Sequence, residues 1–151
     1  MKSRLTILPI LLLFSFGASN LPAASGGGQA ILPKLLNNTK LSGYFTITGK
    51  DKPPAKESYE ILSVAKAPGK NDLWIFTARM KKGGQQVDLP IPLPVKWAGD
   101  KPVIYMDNLK IPGLGQFSAF VLFDGDKYAG TWAHGKTTGH LYGTIAPRNK
   151  E

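Results

Sequence analysis

The stretch from residue 87 to residue 97 (VDLPIPLPVKW) limits most narrowly what this chain can fold into. Apolar side chains occupy every second position, and three prolines occupy positions between them. A period of two is typical of an extended strand with one buried face. Because alternate N–H groups of a strand point to the same edge, the prolines remove donors from one edge only. The stretch is therefore predicted to be an edge strand or, alternatively, a polyproline-like strap that buries the same face.

Extended segments of similar length continue along the rest of the chain, separated by residues that favour turns. An Asp-Gly pair at residues 124–125 is typical of a tight hairpin. No segment beyond the first 25 residues has a helical period of useful length. We therefore predict an all-β, single antiparallel domain of about eight strands, an up-and-down meander that closes as a barrel or stacks as a sandwich. The predicted strands are 41–48, 58–66, 72–80, 87–97, 102–109, 116–123, 127–134 and 139–146.

The beginning of the chain has the pattern of a secretory signal peptide. Lys2 and Arg4 precede an apolar run from Leu5 to Phe16, and small residues follow at 23–25. The run is too short for a membrane-spanning helix. We expect a secreted or periplasmic protein without a transmembrane segment. Its predicted parts are a signal peptide (1–25), a flexible N-terminal segment (26–39), a β domain (40–147) and a tail (148–151).

Composition excludes several kinds of chemistry. The chain has 151 residues and no cysteine, which excludes disulfides, thiolate metal sites and cysteine nucleophiles. No Gly-x-Ser-x-Gly motif occurs, and no pair of acids stands out for glycoside cleavage. The formal net charge is +9, but the lysines are dispersed and no nucleic-acid recognition motif is present. We therefore expect no enzymatic activity, no cofactor and no specific nucleic-acid partner.

The two histidines are the residues that most suggest a metal site. His134 and His140 flank a short Gly- and Thr-rich segment that is predicted to be a hairpin loop. If they face each other across it, two imidazoles and a carboxylate from Asp124 or Asp126 would provide metal ligands. The alternative interpretation is two polar side chains on an exposed hairpin.

Aromatic residues suggest a different kind of site. If the domain encloses a pocket, we expect an apolar and aromatic lining that is closed by polar groups at one rim. Core packing is the alternative role for the same side chains, because aromatic residues dominate buried cores. The candidate ligand-binding residues are Trp74, Trp97, Tyr105, Phe120, Trp132 and Tyr142.

Residues 128–132 (YAGTW) resemble the Gly-x-Trp element of the calycins, the lipocalin and avidin group. That resemblance implies an eight-stranded up-and-down barrel that holds a small ligand. In calycins the element lies on the first strand, whereas here it lies near the C-terminus. The chain, and residues 89–97 in particular, is also similar to short secreted bacterial all-β proteins of uncharacterised function, which implies export.

Three functions follow as expectations. The first is an exported, non-enzymatic binding or structural module whose partner is a small molecule, a polysaccharide or a protein. The second is a small extracytoplasmic, metal-dependent enzyme that uses His134 and His140. The third is an interaction protein that docks through the Pro-rich strand 87–97.

Overall fold

The chain forms a closed barrel of eight antiparallel strands, in which each strand pairs with the next one in sequence. The computed structural model describes residues 28–82, 85–111, 113 and 115–149, so the predicted signal peptide (1–25) and the last tail residues, 150–151, lie outside the described residues. One helix, α1 (Gly28–Leu36), precedes the barrel. The strands are β1 (Thr39–Phe45), β2 (Ala55–Lys66), β3 (Leu73–Lys82), β4 (Gln85–Ala98), β5 (Lys101–Ile111), β6 (Gly115–Asp124), β7 (Lys127–His134) and β8 (Thr137–Pro147).

The last strand pairs with the first, and this pairing closes the sheet. Thr39 lies opposite Pro147, and the register continues to Phe45 opposite Leu141. The predicted all-β domain with up-and-down order is confirmed, and the closure decides between the two architectures in favour of the barrel. Side chains at alternate positions of each strand point inward, where the apolar ones form the core.

Strand β4 is the strand predicted from the proline alternation, and it has two different edges. Along Gln85–Pro94 it pairs with β3, whereas only Val95–Ala98 pair with β5. The Val95 N–H donates to the Asp72 carbonyl on the β3 side at 2.7 Å. Backbone nitrogens of a strand alternate between its two edges, so the proline nitrogens, which alternate with that of Val95, face β5. The edge that lacks donors is therefore the one from which β5 diverges. The prediction of an extended strand is confirmed, but β4 is not an edge strand, because the barrel is closed and Val95–Ala98 pair with β5 beyond the prolines.

Helix α1 lies where a flexible segment without helical structure was predicted. Leu32 and Leu36, four residues apart on one helix face, are 0% and 1% exposed. Nine residues with an internal Pro33 are a weak helix signal in sequence, since proline disfavours a helix interior. The helix is stable because the end of the barrel receives those two leucines. Within the described residues, no helix is long and apolar enough to cross a membrane.

The end of α1 is hydrogen-bonded to an irregularity in β2. The β2–β3 register shifts between Ile61 and Ser63, which frees backbone groups on either side. Asn38, in the left-handed conformation at φ 54°, donates its N–H to the Leu62 carbonyl at 3.1 Å. Asn37 accepts a hydrogen bond through Oδ1 from the Val64 N–H at 2.6 Å. These contacts hold the helix against the barrel wall.

The helix contact gives the first testable prediction. Leu32→Ala should lower the free energy of unfolding by about 2–5 kcal/mol, because it leaves a cavity at the packed end of the barrel. Ile31→Ala, at a neighbouring side chain that is 37% exposed, is the matched control and should cost about half as much or less. Urea unfolding of both variants makes the comparison. Equal losses of unfolding free energy in the two variants would contradict the conclusion that the helix is part of the core.

Candidate ligand-binding cavity

The barrel encloses a cavity of about 830 Å³. This volume lies within the range of small-molecule sites, roughly 300–1,000 Å³. Side chains from all eight strands line the cavity, and most of them are apolar. They include Phe45, Phe76, Ile91, Met106, Val121 and Leu141.

One end of the cavity is closed and the other is accessible. At the end where α1 lies, Trp74, Val95 and Pro102 are fully buried, and Leu36 of the helix reaches the cavity. At the opposite end, the lining includes Gln86, which is exposed and lies beside the β3–β4 connection. The cavity therefore opens away from the helix.

Three polar side chains meet on the cavity wall, and we refer to Glu57, Tyr59 and Tyr128 as the tyrosine–glutamate cluster. The Tyr128 hydroxyl donates to Glu57 Oε1 at 3.0 Å. The Tyr59 hydroxyl donates to Glu57 Oε2 at 2.8 Å. Tyr128 is 3% exposed, whereas Tyr59 is 46% exposed although it lines the cavity. The cluster thus extends from the packed interior to solvent.

Two glycines allow Tyr128 to reach across the barrel wall. The register places Tyr128 opposite Gly143, Gly143 opposite Gly43, and Gly43 opposite Glu57. A Cβ atom on either glycine would lie 2.7 Å from the Tyr128 hydroxyl and closer than that to a backbone carbonyl oxygen. The tyrosine ring therefore passes over two strands that carry no side chain at this level, and meets a glutamate on the third.

The cluster keeps both phenols protonated. Burial is the largest cause that raises the pKa of Tyr128, and the nearby Glu57 carboxylate adds to it. The pKa of Tyr59 is raised by burial first and then by its hydrogen bond to Glu57. Sequence reasoning missed this cluster. The available signal was a glycine within a predicted strand, Gly43 or Gly143, which often marks a close approach of another group.

Of the six aromatic residues predicted to bind ligand, Trp132 lines the cavity. Its indole Nε1–H donates to the Thr46 carbonyl at 3.2 Å, and its ring contacts Phe45 edge-on at 5.8 Å. Trp74 is buried in the closed end, within the core. Trp97 faces inward at the rim beside the helix and is 36% exposed. The position of Trp132 supports a ligand-binding role, and the position of Trp74 supports core packing.

The other three predicted residues lie on the outer face of the barrel. Tyr105 and Phe120 alternate with side chains that line the cavity, and they contact each other edge-on at 4.9 Å. Tyr142 packs beside Tyr44 at 6.0 Å and is exposed. Their placement corrects the expectation of a pocket lining. Strands β5 and β6 have apolar residues on both faces, so their sequences do not show which face is inside.

The residues predicted to bind a metal are not brought together. His134 stacks on Phe117 at 4.3 Å, on the inner face at the open end. His140 lies on the outer face, because it alternates with Leu141, and its Nδ1 lies 3.5 Å from Thr46 Oγ1. Asp124 is the last residue of β6, at the opposite end of the barrel, and pairs with Lys101 at 2.9 Å. Among the described residues, no group of three or more His, Asp or Glu side chains is arranged to hold a metal ion.

Comparison of the chain with protein-family models, with curated proteins and with solved structures found no match. The barrel architecture is compatible with that of the calycins, in strand number, strand order and closure.

The raised pKa values of Tyr59 and Tyr128 predict how stability changes in alkali. Above the ordinary tyrosine pKa of about 10, the folded protein holds protons that the unfolded chain releases, so stability falls as pH rises. The stability advantage of the native protein over the Tyr59→Phe, Tyr128→Phe double variant should be full below pH ~10 and should shrink above it. Urea unfolding at a series of pH values measures it.

Tyr105→Phe, which removes a hydroxyl group from the outer face, is the control for this experiment. The difference in unfolding free energy between this variant and the native protein should not shrink comparably as pH rises. If the difference in unfolding free energy between the native protein and the double variant also stays constant as pH rises, the cluster does not bind its protons more tightly in the folded state.

Proposed function

We propose that this protein binds a small apolar molecule inside its barrel. The observation that carries the proposal is the apolar cavity of about 830 Å³, which is closed by helix α1 at one end and accessible at the other. An unfilled apolar cavity costs stability, since its lining side chains lack contacts that a ligand would restore. The free energy of binding would come mainly from transferring apolar surface out of water.

The setting that we propose is outside the cytoplasm, either secreted or periplasmic. The support for it is the basic start, the apolar run and the small residues within positions 1–25. A barrel that shields an apolar molecule from water suits transport or storage in such a compartment. The proposed binding protein is calycin-like in architecture, and the binding function needs no catalytic group.

The other expected functions receive less support. A metal-dependent enzyme would need His134 and His140 on the same face, and they lie on opposite faces of the sheet. Docking through residues 87–97 would use the prolines, of which Pro90 and Pro92 are exposed, but nothing in the described structure favours a particular partner for them. The alternating Ile91 and Leu93 line the cavity, so this strand also supports the binding function.

The uncharged apolar dye Nile red tests this proposal, because its fluorescence rises in an apolar site. Ala119 lines the cavity, and Ala129 lies on the outer face within a shallow groove beside Tyr142 and Leu122. Ala119→Phe should fill the cavity and weaken dye binding by about tenfold or more, which corresponds to about 1.4 kcal/mol. Ala129→Phe makes the same chemical change outside and should leave the affinity unchanged.

Each outcome decides between sites. If Ala129→Phe weakens binding and Ala119→Phe does not, the dye binds the outer groove and the cavity proposal is wrong. Absence of saturable binding to the native protein would also reject it. Circular dichroism of both variants, together with a second cavity-filling variant, Ala78→Leu, separates filling of the cavity from loss of the fold.

A further inference from the structure

We propose that the cavity selects apolar molecules whose polar end donates hydrogen bonds, with a protonated amine preferred over an alcohol and a carboxylate rejected. This inference rests on the proposed function and adds the chemical class of the ligand. The tyrosine–glutamate cluster carries it, because these are polar groups on a wall that is mostly apolar.

The cluster offers a ligand only acceptors. Each tyrosine has one hydroxyl proton, and both protons are donated to Glu57. A carboxylate accepts about four hydrogen bonds, so two of its lone-pair positions remain. The phenol oxygens also keep lone pairs. A ligand that approaches the cluster must therefore bring the donors itself.

The carboxylate also carries a charge that the surrounding residues do not balance directly. In the described part of the chain, the ion pairs within 4.0 Å do not involve Glu57. Arg79, at the cavity boundary, binds Asp88 through Nε at 2.8 Å and Nη2 at 3.0 Å. Lys40 is exposed and also lines the cavity, but among the described residues no ion pair within 4.0 Å joins it to Glu57.

An ammonium group beside Glu57 would supply both the donors and the missing charge. Charge-assisted hydrogen bonds are stronger than neutral ones, and an apolar lining lowers the screening of the attraction. A ligand carboxylate at the same place would face Glu57 with no proton between them. The polar cluster thus discriminates by charge sign, while the apolar wall accepts the rest of the molecule.

The charge of the whole protein makes this preference diagnostic. The formal net charge is +9, so nonspecific attraction would favour an anionic probe over a cationic one. A preference for an amine would run against that field and would have to come from a local group.

Isothermal titration calorimetry with three probes of ten carbon atoms each tests the inference: decylamine, decanol and decanoic acid, near neutral pH and below the micelle concentration of the two ionic probes and the solubility limit of decanol. For the native protein, decylamine should bind more tightly than decanol by about tenfold or more, and decanoate should bind most weakly. Glu57→Gln keeps the shape of the side chain and removes its charge, and it should abolish the preference for the amine.

Asp126→Asn is the matched control. It removes one negative charge from an exposed turn residue at the helix end of the barrel, where Asp126 pairs with Lys127 at 2.7 Å. The preference for decylamine should survive this change. Tyr59→Phe is a second test that leaves the charge in place. Without the Tyr59 hydroxyl, one more lone pair of Glu57 is available to the ligand, so the preference for the amine should persist or increase.

The outcomes separate this inference from the proposed function. Equal affinity for the three probes, or tighter binding of decanoate, would overturn the inference while the cavity proposal stands. A preference for decylamine that persists in Glu57→Gln would also overturn it. If none of the three binds and Nile red does not bind either, the cavity proposal fails and the inference fails with it.

Discussion

The pairing of β8 with β1 is the contact on which the rest of this structure depends. It turns an antiparallel meander into a closed wall, and a cavity exists only inside a closed wall. The pairing includes Gly43 opposite Gly143, where a side chain on either residue would meet backbone atoms of the neighbouring strand. The same two glycines leave room for the Tyr128 ring. Closure of the barrel and placement of the polar cluster therefore share one structural cause.

The two ends of the barrel differ because only one of them receives the helix. Leu32 and Leu36 pack onto the end that already contains Trp74 and Val95, and this end is filled. The asparagines after the helix bind backbone groups that the β2 irregularity leaves free. A barrel closed at one end has a single direction of access, which suits a site that holds one apolar molecule.

Strand β4 shows how one sequence pattern serves two purposes. Its alternating apolar residues, such as Ile91 and Leu93, line the cavity. Its prolines lie on the edge from which β5 diverges, where no strand of the barrel needs their donors. An edge without donors is a poor template for pairing with another chain, so β4 does not present an adhesive edge along its prolines.

By itself, the sequence determined the fold class, the number of strands and the inward face of β4, because these follow from local periodicity and from the missing N–H groups of proline. Tertiary structure decided the rest. Which of the two apolar faces of β5 and β6 turned inward depended on the register, and this placed Tyr105 and Phe120 outside. Helix α1 formed because the barrel end buried its leucines. The contact between Tyr128 and Glu57 joins residues 71 positions apart across two intervening strands, and no local pattern encodes such a distance.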